Sequence, residues 1–152
     1  DSVGFVGYYT SITIGTDGLG LIAYYDSGTG DLKMAHCSNA ACSTATLATL
    51  DSTGTVGLYP SITIGADGLG LIAYYNDSST DLKVAHCSTA ACSTALTATL
   101  DSAGLVGSYP SITIGTDGLG LISYFDASNN DLKVAHCSNA LCTPTPFNVR
   151  RR

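Results

Sequence analysis

The stretch Tyr59–Tyr75, YPSITIGADGLGLIAYY, reads as two β-strands joined by a tight turn. Ile62 and Ile64 alternate with Ser61 and Thr63, the two-residue period of a strand with one apolar and one polar face. Pro60 stands near the start, where a missing N–H is tolerated. Gly65-Ala66-Asp67-Gly68 supplies the Asp-Gly pair favoured in hairpin turns. The second strand does not alternate: Leu71, Ala73 and Tyr75 point one way, Ile72 and Tyr74 the other. A strand apolar on both faces is covered on both faces.

Working outward, Asp81–Cys87 (DLKVAHC) is a third strand, with Leu82, Val84 and His86 on one face and Lys83 and Ala85 on the other. After Ser88–Ala91 comes a Thr- and Ala-rich fourth strand, roughly Cys92 to Leu100. No segment carries the apolar stripe of an amphipathic helix, so no helix is expected.

This unit occurs three times, over residues 1–50, 51–100 and 101–152. The first two copies are identical at 36 of 50 positions, and the third departs mainly after Cys142. Each copy is too short to bury a core alone, so the three form one structural unit. The expected fold is all-β: three tandem, four-stranded antiparallel repeats of about 50 residues, each a β-propeller-type blade. Blades packed face to face cover both sides of every sheet, as the second strand demands.

Charged residues make up 12% of the chain and the net charge is −6, against about a quarter charged in ordinary soluble domains. The basic residues form no stripe beyond Arg150–Arg152, which argues against nucleic acid as a partner. No apolar run reaches membrane-span length, so membrane insertion is not expected. The chain opens at a repeat boundary, consistent with a leader already removed.

Six cysteines fall two per repeat, each time as Cys-x4-Cys. Even numbers at fixed spacing read as disulfides Cys37–Cys42, Cys87–Cys92 and Cys137–Cys142, and place the protein outside the cell or at its surface. Zinc is the rival, because His36, His86 and His136 precede the first cysteine of each pair. Adjacent strand residues point to opposite faces, which separates His from Cys, so no metal is expected there.

The segments YPSITIGADGLGLIAYY and DLKVAHC resemble blade repeats of secreted bacterial proteins grouped loosely with sialidase-like propellers. The resemblance spans the chain except its last ten or so residues. It implies the blade fold. It does not extend to sialidase chemistry, because the Ser-x-Asp-x-Gly-x-x-Trp box is absent, the chain has no Trp, and its only arginines are the three at the C-terminus.

Candidate ligand-binding residues gather where the second strand meets the next turn: Tyr25, Asp26 and Asp31; Tyr75, Asn76 and Asp81; Phe125, Asp126 and Asp131. Aromatic rings beside carboxylates at a loop mouth suit a glycan, by stacking and hydrogen bonding. The same loops offer oxygen ligands for Ca²⁺, although Asx side chains closing their own turns explain the pattern more simply. No cofactor is expected. Each His is read as a strand-face residue with a hydrogen-bonding neighbour, and each Asp before Gly as a turn residue. Tyr9 and its equivalents are read as packing or sugar-stacking groups.

Three blades are fewer than the 4–8 that close a propeller, so self-association is expected. The leading expectation is a secreted structural or adhesive repeat protein, not an enzyme, that works as a multi-chain ring or a head-to-tail filament. The alternative is a lectin-like propeller, and third comes a glycoside hydrolase.

Overall fold

Asp-Gly turns form where the sequence places them. In each, the Gly65-type N–H donates to the Leu69-type carbonyl at 2.8 Å, and the second glycine takes φ near +80°. The computed structural model describes residues 1–143 and the strand 149–151. Blade one holds β1 (Tyr8–Ile14), β2 (Gly20–Asp26), β3 (Asp31–Cys37) and β4 (Ala45–Asp51). Blade two holds β5 (Val56–Ile64), β6 (Gly70–Asn76), β7 (Asp81–Cys87) and β8 (Ala95–Asp101). Blade three holds β9 (Val106–Ile114), β10 (Gly120–Asp126), β11 (Asp131–His136) and β12 (Val149–Arg151).

Every sheet is a four-stranded antiparallel meander in chain order. The third strand of blade two, Asp81–Cys87, has the limits expected from its sequence pattern. The fourth begins later, at Ala95 rather than near Cys92, because Cys92 closes a turn at positive φ, with its N–H donating to Thr89 O. The divergent tail still supplies a fourth strand to blade three, pairing Lys133 with Arg151, whereas the same lysine in blade one faces Thr49. Among the described residues there is no helix.

The blades stack as the two-faced second strand requires. Leu21, Ala23, Leu32 and Met34 of blade one pack on Val56, Ile62, Ile72, Tyr74 and Ala85 of blade two. Leu71, Ala73, Leu82 and Val84 of blade two pack in the same way on Val106, Ile112, Ile122 and Tyr124 of blade three. The inner strands β1, β5 and β9 lie side by side. Ser11 Oγ accepts from Ile62 N, and Ser61 Oγ from Ile112 N, both at 3.1 Å.

A polar lock runs through each interface. Asp51, at the end of blade one's last strand, accepts the Tyr74 hydroxyl at 2.7 Å and the Lys83 ammonium, both of blade two. Asp101 does the same for Tyr124 and Lys133 of blade three. In blade one Asp1 takes this part, bound by Tyr24 Oη and Lys33 Nζ, each at 2.9 Å. Burial alone would raise the Asp51 carboxyl, but hydrogen bonds from Lys83, Tyr74 and Thr53 N outweigh it and hold the pKa below the usual carboxylate value.

Disulfides join Cys37 to Cys42, Cys87 to Cys92 and Cys137 to Cys142. They are compatible with an extracellular location. The glycine that opens each second strand sits against this bridge: a Cβ on Gly70 would stand 2.7 Å from Cys87 Sγ.

Candidate ligand-binding site

The inner strands bulge near their start. In blade two the register breaks between Leu58 and Ser61, leaving Tyr59 and Pro60 outside the ladder. The bulge is built on a left-handed tyrosine. Tyr9, Tyr59 and Tyr109 have φ of 53°, 52° and 52°, a conformation that is an outlier for a bulky side chain. Each such residue costs on the order of 1–3 kcal/mol, which the surrounding structure must offset.

The strain brings the three rings together. Tyr9 and Tyr59 have centroids 4.3 Å apart, as do Tyr59 and Tyr109, giving a continuous row across three blades. Tyr25 flanks its first member at 6.4 Å and Tyr8 at 6.3 Å. Tyr9 and Tyr109 are exposed and Tyr59 is half-buried. The Tyr59 phenol is pushed up, first by its hydrogen bond to Tyr109, then by burial and its bond to Tyr9. The Tyr59 phenol is therefore neutral at physiological pH.

The residues expected from sequence divide around this row. Tyr25 and Tyr75 lie half-buried beside it, paired across the sheet with Tyr8 and Leu58. Burial, then the Asp77 carboxylate, raises both phenols. Phe125 holds the third position and is exposed. Asp31, Asp81 and Asp131 start the third strands at the same end.

Asp26, Asn76 and Asp126 are instead buried and turned into their own hairpins. Asp26 Oδ1 accepts from Gly28 N and Thr29 N, Asn76 Oδ1 from Ser78 N and Ser79 N, and Asp126 Oδ1 from Ser128 N and Asn129 N. The structure thus gives these three the turn-closing role. Among the described residues, no three His, Cys, Asp or Glu side chains come together as a metal set.

The opposite end of each blade holds a His–Asp pair, which gives each His the hydrogen-bonding neighbour expected of it. His36 Nε2 lies 2.7 Å from Asp17 Oδ2, and His86–Asp67 and His136–Asp117 repeat the distance. The other oxygen of each Asp accepts the Leu19-type N–H that closes the turn. That bond first, and the imidazole second among the groups that lower it, hold the Asp17 carboxyl below its ordinary value. Reading Asp as a turn residue and His as a strand-face residue was sound for each alone. The constant separation of 19 residues in all three copies is the signal that pairs them. The Asp51–Tyr74–Lys83 lock was missed for the same reason, and its separations of 23 and 32 also recur.

Inner strands that converge, with blades stacked face to face, define an all-β, propeller-like protein. No protein-family model and no curated protein sequence matches the chain. In fold it is similar to the crystal structure of α-L-arabinofuranosidase from Lactobacillus brevis, with a TM-score of 0.59 and 10% identity. The match takes in 95% of this chain and 51% of the other, so the chain spans about half the length of that protein. The all-β, propeller-like part of the resemblance drawn from sequence stands. The expectation of a chain that is not an enzyme is corrected: the similar structure is a glycoside hydrolase, so the fold gives no ground for excluding enzymatic activity.

Proposed function

We propose that this chain supplies the blades of an extracytoplasmic, glycan-binding propeller, with the tyrosine row as its sugar-stacking surface. The observation that carries this reading is the left-handed backbone at Tyr9, Tyr59 and Tyr109. Each copy of the repeat carries the same strain, and in each it serves to set one ring against the next. A structural role alone would be met at lower cost by glycine at that φ. The faces of sugar rings stack on such aromatic rows. Asp31, Asp77 and Asp81, at the same end, supply acceptors for sugar hydroxyls.

The test uses the protein's own signal, since it has nine Tyr and no Trp. Tyrosine emission and calorimetry are followed during titration with α-L-arabinofuranosyl oligosaccharides and a panel of other glycans. The fold likeness makes the arabinofuranosides the first probe. The expected result is weak, saturable binding that Tyr59→Ala weakens at least tenfold. A parallel assay with p-nitrophenyl α-L-arabinofuranoside shows whether bound sugar is also cleaved. A Tyr59→Ala variant that binds like the parent overturns the tyrosine row as the site. Silence across the whole panel overturns the glycan reading.

The adhesive, multi-chain reading is favoured by a separate observation, the apolar side chains exposed on the outer faces of blades one and three, Ile12 and Leu132 among them.

A further inference from the structure

Inside the chain one contact occurs twice. Gly57 of blade two lies against Leu32 of blade one, where an added Cβ would be 2.5 Å from the leucine Cα, and Gly107 meets Leu82 at the same distance. Two hydrogen bonds accompany it each time. Val56 N donates to Gly30 O at 2.8 Å and Val106 N to Thr80 O at 3.0 Å. Ile62 N and Ile112 N donate to Ser11 Oγ and Ser61 Oγ.

The repeat leaves one half of this contact on each end face. Blade three presents the knob, Leu132, which is 60% exposed where Leu32 and Leu82 are 0% exposed. Beside it stand Leu121, the carbonyl of Asn130 and the Ser111 hydroxyl. Blade one presents the socket: Gly7, at φ +84° with nothing within 4 Å of an added Cβ. Around it lie Val6 and Tyr24, in a hollow of about 160 Å³. Ile12 stands next to it, 63% exposed where Ile62 is 7% exposed. Asp1 already fills the lock on Tyr24 and Lys33, so the incoming blade needs to bring no carboxylate.

We infer that a second copy of this chain docks head to tail, with blade three of one copy on blade one of the other. Knob, socket, donors and acceptors are those of the two internal interfaces, so the contact continues an interface already formed rather than inventing a new one. It is heterologous, and such contacts either close or propagate. Propellers close at about 4–8 blades, and six is the multiple of three in that range. The assembly is therefore a two-chain, six-bladed ring. It sets Tyr109 of each copy beside Tyr9 of the other and extends the aromatic row around the axis. The inference does not depend on what the row binds.

The experiment is light scattering after size exclusion at tens of micromolar, with disulfides intact. The chain has a mass of 15.5 kDa, and the expected particle has twice that. Leu132→Asp and Ile12→Asp change exposed side chains, so both variants fold, as checked by circular dichroism, and each alone runs as a monomer. Mixed, they form an open dimer through the one junction that pairs the intact socket of the first with the intact knob of the second, while the junction that carries both substitutions stays unmade. That complementation separates a head-to-tail contact from a face-to-face one, in which only one of the two variants matters. A parent chain that stays monomeric leaves these faces to further blades of a longer polypeptide and overturns the inference. So do variants that dimerise unmixed, or that fail to complement.

Discussion

Gly57 passes so close to Leu32 that a single added carbon would stand 2.5 Å from the leucine Cα and 2.7 Å from its Cβ. Backbone, not a flexible tip, is what it would meet, so neither partner yields without shifting a strand. Gly57 also has φ +88°, which a Cβ disfavours. Gly57→Ala is therefore expected to destabilise the chain by roughly 2–4 kcal/mol, overpacking and backbone strain together. Gly7→Ala, with the same φ sign and open space, should cost the monomer only about 1–2 kcal/mol. Urea denaturation of the two variants, each in the Leu132→Asp background to hold them monomeric, checks the difference.

The Asp51 lock sets an acid limit. Asp51 and Asp101 have carboxyl pKa values lower in the folded protein than in the unfolded chain. Such groups stabilise fully above the unfolded value of about 3.9. They lose that contribution as pH falls through the folded value. Thermal midpoints should be flat from neutral pH down to about 5 and then fall steeply below about 4. Asp51→Asn should soften that fall. Asp51→Ala, which leaves the Lys83 ammonium and Tyr74 hydroxyl without their acceptor, should cost about 3–5 kcal/mol at neutral pH.

The tyrosine row makes an unusual prediction for a large aromatic. Removing a packed aromatic typically costs about 3–5 kcal/mol. At Tyr59, glycine would also release left-handed strain of about 1–3 kcal/mol. Tyr59→Gly should therefore be less destabilising than Tyr59→Ala, which loses the same ring but keeps a Cβ in the left-handed conformation. Comparing Tyr59→Gly with Tyr59→Ala by denaturant unfolding tests this, and equal losses would show that the left-handed backbone stores no appreciable strain.

Reduction should distinguish the blades. Cys92 and Cys142 are buried, Cys92 among the residues that join blades one and two, whereas Cys42 is exposed. Brief treatment with a mild thiol under native conditions, followed by alkylation and peptide mass analysis, should label Cys37 and Cys42 first. If two chains dock head to tail, Cys42 takes the covered position of Cys92, and its labelling should slow as protein concentration rises.

By itself the sequence determined the elements and their order. Local periodicity and turn chemistry act within a few residues, so Asp81–Cys87 and the Asp-Gly hairpins were legible directly, and near-identity of the copies made them one blade shape. The two-faced strand Gly70–Asn76 also required a cover on each side. Contacts made across tens of residues were decided only by the tertiary structure. Asp51 meets Tyr74 and Lys83 because strand ends of neighbouring blades abut. His36 meets Asp17 because two turns share one end of a sheet. Tyr59 adopts a left-handed backbone because the bulge places its ring between two others, while Asp26 turns inward to close its own hairpin. The clearest case is Ile12 and Ile62, which share the sequence Ser-Ile-Thr-Ile-Gly yet are 63% and 7% exposed. A repeat fixes what each residue can pack against, but burial depends on whether a neighbouring blade is there to provide it.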